Sequence, residues 1–434
     1  MKVIVGAFAC QPHRGSEPGV GWNWSLQVAK YGHEVHVITR KNNRVAIESE
    51  LKLKPIANLH FHYLDLPQFC CDLREKYGNY SLLSYYYFWQ IALFFKAKKL
   101  HKKIGFDLAH HVTYVNDWMP SGLCLLGIPF LWGPVGGSTH IIPKQIELEL
   151  PTYAQKFESR RLLMQSFFKS FDPFLRLTRQ RATKILTYTK EGLPGIPQKY
   201  QSKTNAIIHI GVAESDLPPQ YQRVKQKVLE GELKIFTGGR LVHWKGFDLL
   251  IAGFGKYIKE TGNNSKLIIT GEGAYKSKLE QLSQSLGVEK NVEFAGYLPT
   301  RDDLFMTMQN CDLYALPTLR DGPPVAILEA MFAGMPIVCL DVGATHELVP
   351  EKAGLKIAVN SREQVIADIA AAFIWANNHR EELIRMGDEA REHTLKIHDW
   401  NRIGNEIQAI YEEVIATNIS PVSETKISVG TEYI

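Results

Sequence analysis

Residues 1–39, "MKVIVGAFACQPHRGSEPGVGWNWSLQVAKYGHEVHVIT", hold the arrangement on which the fold turns. "KVIVGAFA" is a short apolar run rich in β-branched residues, and "EVHVIT" is a second. Between them, "SLQVAKYG" repeats its apolar residues near every 3.6 positions. It ends on Gly32, the place where a helix favours a left-handed terminal residue. Strand, helix and strand in such close order make a parallel βαβ unit with a right-handed crossover. The helix is expected over 20–31. Gly15, Gly19 and Gly21 crowd the turn ahead of it. A phosphate cradle, a hinge and a plain turn all fit that crowding.

The same alternation runs along the whole chain. Further strand-like runs are "LHFHYL", "DLAHHV", "IPFLW" and "KILTYT", then "LKIFTGG", "KLIIT", "NVEFAG", "CDLYALP" and "PIVCL". Segments of helical period such as "VAILEAMFAG" separate them, so the class is α/β with parallel sheets. A chain of 434 residues exceeds one ordinary core and implies two domains. The polar, proline-bearing stretch "ESDLPPQYQRVKQKVLEGE" reads as the join. The boundaries follow: a first domain over 1–215, a linker over 216–230 and a second domain over 231–395. An amphipathic helix over 396–416 is free to pack back on the first domain, and a loose tail covers 417–434. Two such sheets oppose their strand C-terminal ends, which places a ligand site in the cleft between domains.

Composition narrows the function class. A net charge of +5 suits anionic ligands or an anionic membrane face and gives no footprint for nucleic acid. The six cysteines form no CxxC pair, so reduced thiols in a cytoplasmic protein are expected. The longest apolar segment, "YYYFWQIALFF", is shorter than a bilayer needs.

Two segments of the second half carry chemistry. "TGGRLVHWKGFDLLIAGF" sets Arg240 and Lys245 just after a strand and two glycines, an arrangement suited to a diphosphate but lacking P-loop spacing. "LRDGPPVAILEAMFAGMPIVCL" places a turn at 321–324 before a short apolar helix whose N-terminus is a ready anion site. Glu329 lies inside that apolar helix and needs a hydrogen-bonding duty to be worth burying.

"GGRLVHWKG" followed by "DGPPVAILEA", with "TGEGAYKSKLE" and "NVEFAGYLPTRDD" between them, resembles the retaining nucleotide-sugar glycosyltransferases of the GT-B fold. Within these it is family four, or group one, of the bacterial polysaccharide-biosynthesis type. The resemblance implies two Rossmann-like domains facing each other across a cleft. It implies that Arg240 and Lys245 hold the donor diphosphate, and that Glu329 accepts the ribose hydroxyls. Asp321 would meet the sugar near the anomeric carbon, and the amides of Gly322, Val325 and Ala326 would face sugar or phosphate. Gly271, Gly273 and Leu298 would flank the nucleotide. It further implies transfer to a glycan or polyprenyl-linked acceptor, with a UDP-sugar the favoured donor and no metal or other cofactor. Two positions depart from the family: Asp321 stands where Glu is usual, and Ile210 where Asn commonly precedes Gly211. Related activities that share the site are an epimerase, a glucan synthase and a non-catalytic nucleotide-sugar-binding subunit.

In the first half, "FDLAHHVTYVNDWMPSG" offers His111, and next to it His110, for contact with the sugar or for proton movement. The family's histidine often lies five residues after the aspartate, where this chain has Val112. Asn116 and His110 are acceptor-side candidates, as are Glu17 and Gly19 in the opening turn. Gly15 of that turn is assigned to the donor side. "PFLWGPVGGSTH" ends a strand in a glycine-rich loop that would line the cleft floor. The helix holding "YYYFWQIALFFKAKKLHKK" and the stretch "SRRLLMQSFFKSFDPFLRLTRQRATK" join aromatics to lysines and arginines. Either packs as core with a solvated basic end, or rests on the anionic inner face of the plasma membrane.

Overall fold

The computed structural model describes residues 1–114, 116–137, 139–221 and 231–419. The linker expected over 216–230 lies outside the described residues from 222 onward, and the tail expected over 417–434 from 420 onward.

Two parallel sheets form the frame. The first contains β1 (Lys2–Gly6), β2 (Glu34–Thr39), β3 (Leu59–Tyr63), β4 (Leu108–His111), β5 (Phe130–Val135), β6 (Lys184–Thr187) and β7 (Thr204–Ala206), in the order β3-β2-β1-β4-β5-β6-β7. The second contains β8 (Lys234–Gly238), β9 (Lys266–Thr270), β10 (Val292–Gly296), β11 (Leu313–Leu316), β12 (Ile337–Leu340) and β13 (Gly354–Ile357), in the order β10-β9-β8-β11-β12-β13. Each sheet reverses its winding once, between β1 and β4 and between β8 and β11. Loops at such switch points diverge and leave a crevice, and the two crevices face each other. Two strands have no counterpart among the predicted runs: β7, "TNA", and β13, "GLKI". Both are sheet edges, too short to show a period.

The opening helix spans Ser16–Lys30, starting four residues before the expected 20. Pro18 fits its first turn, where the backbone N–H has no partner to lose. Gly19 and Gly21 are therefore helical, and their role is close packing. A Cβ on Gly19 would stand 1.9 Å from the Arg14 carbonyl oxygen, and one on Gly21 2.1 Å from that of Ala9. Trp22 stacks on Phe61, and Trp24 is fully buried with its indole N–H donating to the His209 carbonyl.

The helix Trp400–Ile419 returns to the first domain. Its Trp400, Ile403, Ile407 and Tyr411 are buried there, and Lys184 pairs with Glu413. His398, just ahead of it, meets the Ile210 carbonyl through Nδ1 at 3.0 Å. Gly211 lets Trp400 lie against the backbone, since a Cβ would come within 2.6 Å of the indole. The turn where the family commonly carries Asn is thus a crossing point of the chain.

The aromatic helix Asn79–Ile104 has two faces. Tyr85, Trp89, Leu93 and Ala97 repeat every fourth position and bury against the first sheet, while Phe88, Ile91 and Phe95 point outward. Among the described residues, no helix is long and apolar enough to cross a membrane.

Candidate active site

A cavity of about 1000 Å³ opens between the domains at the two switch points. Gly15 and Arg14 contribute one wall, and Arg240, Gly271, Leu298 and Glu329 contribute the other. Arg14 bridges it by donating to the Tyr297 hydroxyl at 2.9 Å. Gly15, the N-cap of the opening helix, faces Glu329 directly: a Cβ there would sit 3.2 Å from Glu329 Oε1.

Glu329 lies in the helix Val325–Phe332 with only 9% of its side chain exposed. Burial raises its carboxyl group above the usual carboxylate range, and Arg301, 3.0 Å away, offsets only part of that rise. Arg301 also reaches Asp216 at 3.5 Å. A buried carboxylate with one guanidinium partner keeps acceptor capacity for a vicinal diol. The amides of Val325 and Ala326, first in that helix, have no partner within it.

The loop after β8 supplies the cations. Gly246, at φ 70°, lies so close to the Pro317 carbonyl that a Cβ would approach to 2.0 Å. That close approach packs the turn His243–Lys245 against the loop after β11. The Leu319 amide donates to the Trp244 carbonyl at 2.8 Å, tying the two loops together. Lys245 and Asp321 form an ion pair there, and Thr318 donates to the same carboxylate at 3.2 Å. Arg240 is exposed and lies over the Trp244 ring. Arg240 and Glu329 thus line the cavity, and Lys245 and Asp321 pair in the loops that follow β8 and β11.

A clamp from the first domain backs this loop. In the helix Thr152–Phe171, Glu158 is 1% exposed. It accepts from Arg320 at 2.8 Å and Arg161 at 2.9 Å, and it meets His243 Nε2 at 3.0 Å. Burial alone would raise the Glu158 carboxyl group. The hydrogen bonds of His243 and Arg320, with the charges of Arg320 and Arg161, outweigh burial and hold it at about 2. Phe157 stacks on Trp244 from the same helix, and Arg320 covers that indole at 4.4 Å. No local pattern marks Glu158, since His243 lies 85 and Arg320 162 positions away.

His140 is the second residue that sequence reasoning missed, although it closes the quoted loop "PFLWGPVGGSTH". It is 6% exposed, and neither ring nitrogen has a well-formed hydrogen bond among the described residues. Burial lowers its pKa, and the carboxylate and backbone of Asp321 pull it back up. A neutral imidazole therefore stands beside Asp321. Tyr188 packs between them and the loops, with a Cβ on Gly136 or Gly322 falling 2.6 or 3.2 Å from its ring.

Several expectations are corrected. His110 is fully buried, with Nδ1 on the Tyr411 hydroxyl and Nε2 on the Gly133 carbonyl, both at 2.7 Å. Its pKa falls to about 3 through burial, so it is a structural link to the C-terminal helix rather than an acceptor contact. His111, expected to be catalytic, is 2% exposed between Tyr86 and Ser121, and burial lowers its pKa to about 4. Both nitrogens are engaged inside the fold, away from the cleft lining. Gly19 packs the opening helix against the Arg14 carbonyl and also lines a small pocket beside Gly15, Arg301 and Glu329. Gly273 is likewise a close-approach residue, since a Cβ would meet the Leu241 carbonyl at 2.2 Å. Gly271 combines that need, at φ 113°, with a place in the cavity wall. Glu17 is half-buried and its charge helps to raise the phenols of Tyr86, Tyr114 and Tyr188, after burial. Asn116 bridges its backbone to Gly136 at the end of the neighbouring strand.

A second cavity, about 830 Å³, opens behind Tyr188 and Pro324. Glu191 and Glu347 line it, and burial and Glu347 raise the Glu191 carboxyl group. This second cavity includes neither Arg240 nor Glu329, which the first cavity brings together.

Residues 220–393 match the family described as "Glycosyl transferases group 1". An uncharacterized glycosyltransferase of Haemophilus influenzae is 28% identical over 242 residues, 55% of this chain and 62% of that protein. The lipopolysaccharide core biosynthesis mannosyltransferase LpsB of Rhizobium meliloti is 27% identical over 227 residues, 50% of this chain and 63% of that one. The chain thus spans less than two thirds of the length of either relative. The structure of Anabaena Alr3699/HepE in complex with UDP and glucose superposes at a TM-score of 0.59 and 16% identity, covering 95% of this chain and 99% of that one. That likeness is one of fold.

Proposed function

We propose that this chain, whose second domain belongs to the group 1 glycosyltransferases and whose two sheets form the GT-B fold, transfers a sugar with retention from a nucleoside-diphosphate sugar. The observation that carries the reading is that Arg240 and Glu329 line one interdomain cavity at two switch points, while Lys245 and Asp321 pair in the loops that follow the switch-point strands β8 and β11. The acceptor is a glycan or lipid-linked saccharide of polysaccharide or glycolipid biosynthesis, a class supported by the likeness to the lipopolysaccharide core mannosyltransferase of Rhizobium. A UDP-sugar is the favoured donor, supported by the UDP and glucose held by the Anabaena protein.

The chemistry asks little covalent work of the protein. The bond from the anomeric carbon to the diphosphate breaks, and the acceptor oxygen bonds on the same face. The acceptor proton passes to the departing phosphate oxygen. Charge grows on the diphosphate as the bond breaks, and fixed cations stabilise that charge more than the ground state. Lys245 and Arg240 fill that role, Lys245 leaving Asp321 for the phosphate. Asp321 and the neutral His140 then face the sugar and its developing positive charge. Glu329 takes the ribose hydroxyls, exchanging part of its hold on Arg301. No protein nucleophile is required, so the two-carboxylate scheme of hydrolases does not apply to Asp321 and Glu329. The test is turnover: the wild-type chain, given donor and acceptor, releases nucleoside diphosphate and forms a product of unchanged anomeric configuration. An inverted product, or hydrolysis of no nucleotide sugar in a broad panel, would contradict the reading.

A lipid-bound acceptor also suits the outer face of the first domain. Leu163, Phe167 and Phe171 repeat every fourth position on the Thr152–Phe171 helix, and the last two are 59% and 71% exposed. Phe88, Ile91 and Phe95 stand out from the aromatic helix, which ends in Lys98, Lys99, Lys102 and Lys103. Tyr87 packs on Phe168, so the two helices are neighbours in the first domain. Apolar stripes flanked by lysines match an interfacial binding surface on anionic membrane. The chain is expected to float with phosphatidylglycerol vesicles and not with neutral ones, and a Phe167→Ser/Phe171→Ser variant should lose that partition. Equal recovery with both lipids, or retention by the variant, would remove the membrane from the account.

A further inference from the structure

The strands β2 and β3 pair in parallel with His36 opposite His60 and Ile38 opposite His62. Because side chains alternate along a strand, Glu34 and His36 share one face of β2, and His60 and His62 share the same face of β3. Three imidazoles and a carboxylate thus meet on a face where a parallel sheet ordinarily carries Val, Ile and Leu. His36 is buried, with Nε2 3.0 Å from Glu34 Oε1 and Nδ1 3.0 Å from His62 Nε2. The His36 and His60 rings lie 4.7 Å apart. His60 is exposed, and no described residue hydrogen-bonds its ring. One donor atom each from Glu34, His36 and His60 lies within 4.8 Å of the others.

We propose that Glu34, His36 and His60 form a binding site for a divalent transition metal of the zinc class, with His62 orienting His36 from behind. Two imidazoles and a carboxylate suit Zn²⁺, Co²⁺ or Ni²⁺, whereas Mg²⁺ and Ca²⁺ take oxygen sets. Modest side-chain rotations close the three donors on one ion at bonds of about 2.0–2.2 Å, leaving a fourth position to water. His36 Nε2 then exchanges Glu34 for the ion, while its Nδ1 keeps the contact with His62. A hydrogen-bonded second nitrogen is what fixes the ring of a metal-bound histidine. Lys2, 4.0 Å from the other Glu34 oxygen, is placed to compete for that carboxylate, and Lys96 is near enough to act on His62. Glu34 begins β2 and His60 is second in β3, so the site lies at the opposite strand ends from the cleft. Its work is structural: it pins the edge strand β3 to β2, independently of sugar transfer.

The test uses tag-free full-length protein freed of metal with EDTA and titrated with Co²⁺ and, separately, with Zn²⁺. One equivalent of Co²⁺ is expected to give visible d–d absorption that Zn²⁺ displaces, and Zn²⁺ should raise the unfolding temperature. His60→Ala, which alters an exposed side chain and spares the core, should weaken binding at least roughly tenfold. Glu34→Gln should do the same. His346→Ala removes an exposed His–Asp pair in the other domain and should change nothing. Absence of a saturable cobalt spectrum, or a spectrum that survives the Glu34→Gln/His60→Ala double variant, would overturn the proposal.

Discussion

Lys245→Ala is expected to lower donor-dependent turnover by roughly 10²- to 10³-fold, the loss seen when one preorganised transition-state donor is removed. The effect should fall mainly on kcat, because the charge that Lys245 meets is largest as the leaving group departs. Stability should change little. Lys245 and Asp321 are both partly solvated, at 15% and 24% exposure, and Asp321 keeps its bond from Thr318. The control is built into the variant: alanine also frees Asp321 from its ion pair. If Lys245 only restrained that carboxylate, turnover would persist or improve. Near-wild-type kcat in a folded Lys245→Ala protein would remove the lysine from the leaving-group role.

The second large effect is structural. Glu158→Gln keeps the shape of the clamp and deletes its charge, leaving Arg161 and Arg320 facing each other in a nearly dry site. Removing one partner of a buried pair costs about 3–5 kcal/mol. A fall of several degrees in unfolding temperature is expected, with a weaker grip on donor because His243 begins the turn that ends in Lys245. The pH dependence has a definite sign. A carboxylate lowered in the folded state stabilises above its unfolded value of about 4.5, and the gain disappears as pH falls toward 2. Wild-type stability should therefore decline between those limits more steeply than that of the variant. An unfolding temperature unchanged to within a degree would show the clamp contributing nothing.

How much of this was legible follows physical lines. The strands inside each sheet are buried on both faces, so runs such as "KVIVG", "KLIIT" and "PIVCL" announce themselves by composition. The edges β7 and β13 have no such pressure and stayed hidden. Arg240, Lys245 and Asp321 can be nominated from the sequence because each lies in a loop that follows a strand end, β8 or β11. His110 and His111 occupy a similar strand end, yet β4 lies between β1 and β5 and buries both rings. The opening glycines misled for a related reason: Gly19 and Gly21 answer to backbone carbonyls of Arg14 and Ala9, contacts that no local pattern displays. Glu158 and His140 owe their importance to residues of the other domain. Pairings across that distance leave no trace in spacing.

The central claim is that the cavity between Gly15 and Glu329 holds a nucleoside-diphosphate sugar. Thermal unfolding of the wild-type chain against a panel of nucleoside diphosphates and nucleotide sugars tests it most directly. Ligand at a hundredfold excess over its Kd stabilises the folded state by about 2.7 kcal/mol. The account predicts a concentration-dependent rise in unfolding temperature with UDP or a UDP-sugar, reduced in Glu329→Gln. A panel in which no nucleotide and no nucleotide sugar shifts the transition would contradict it.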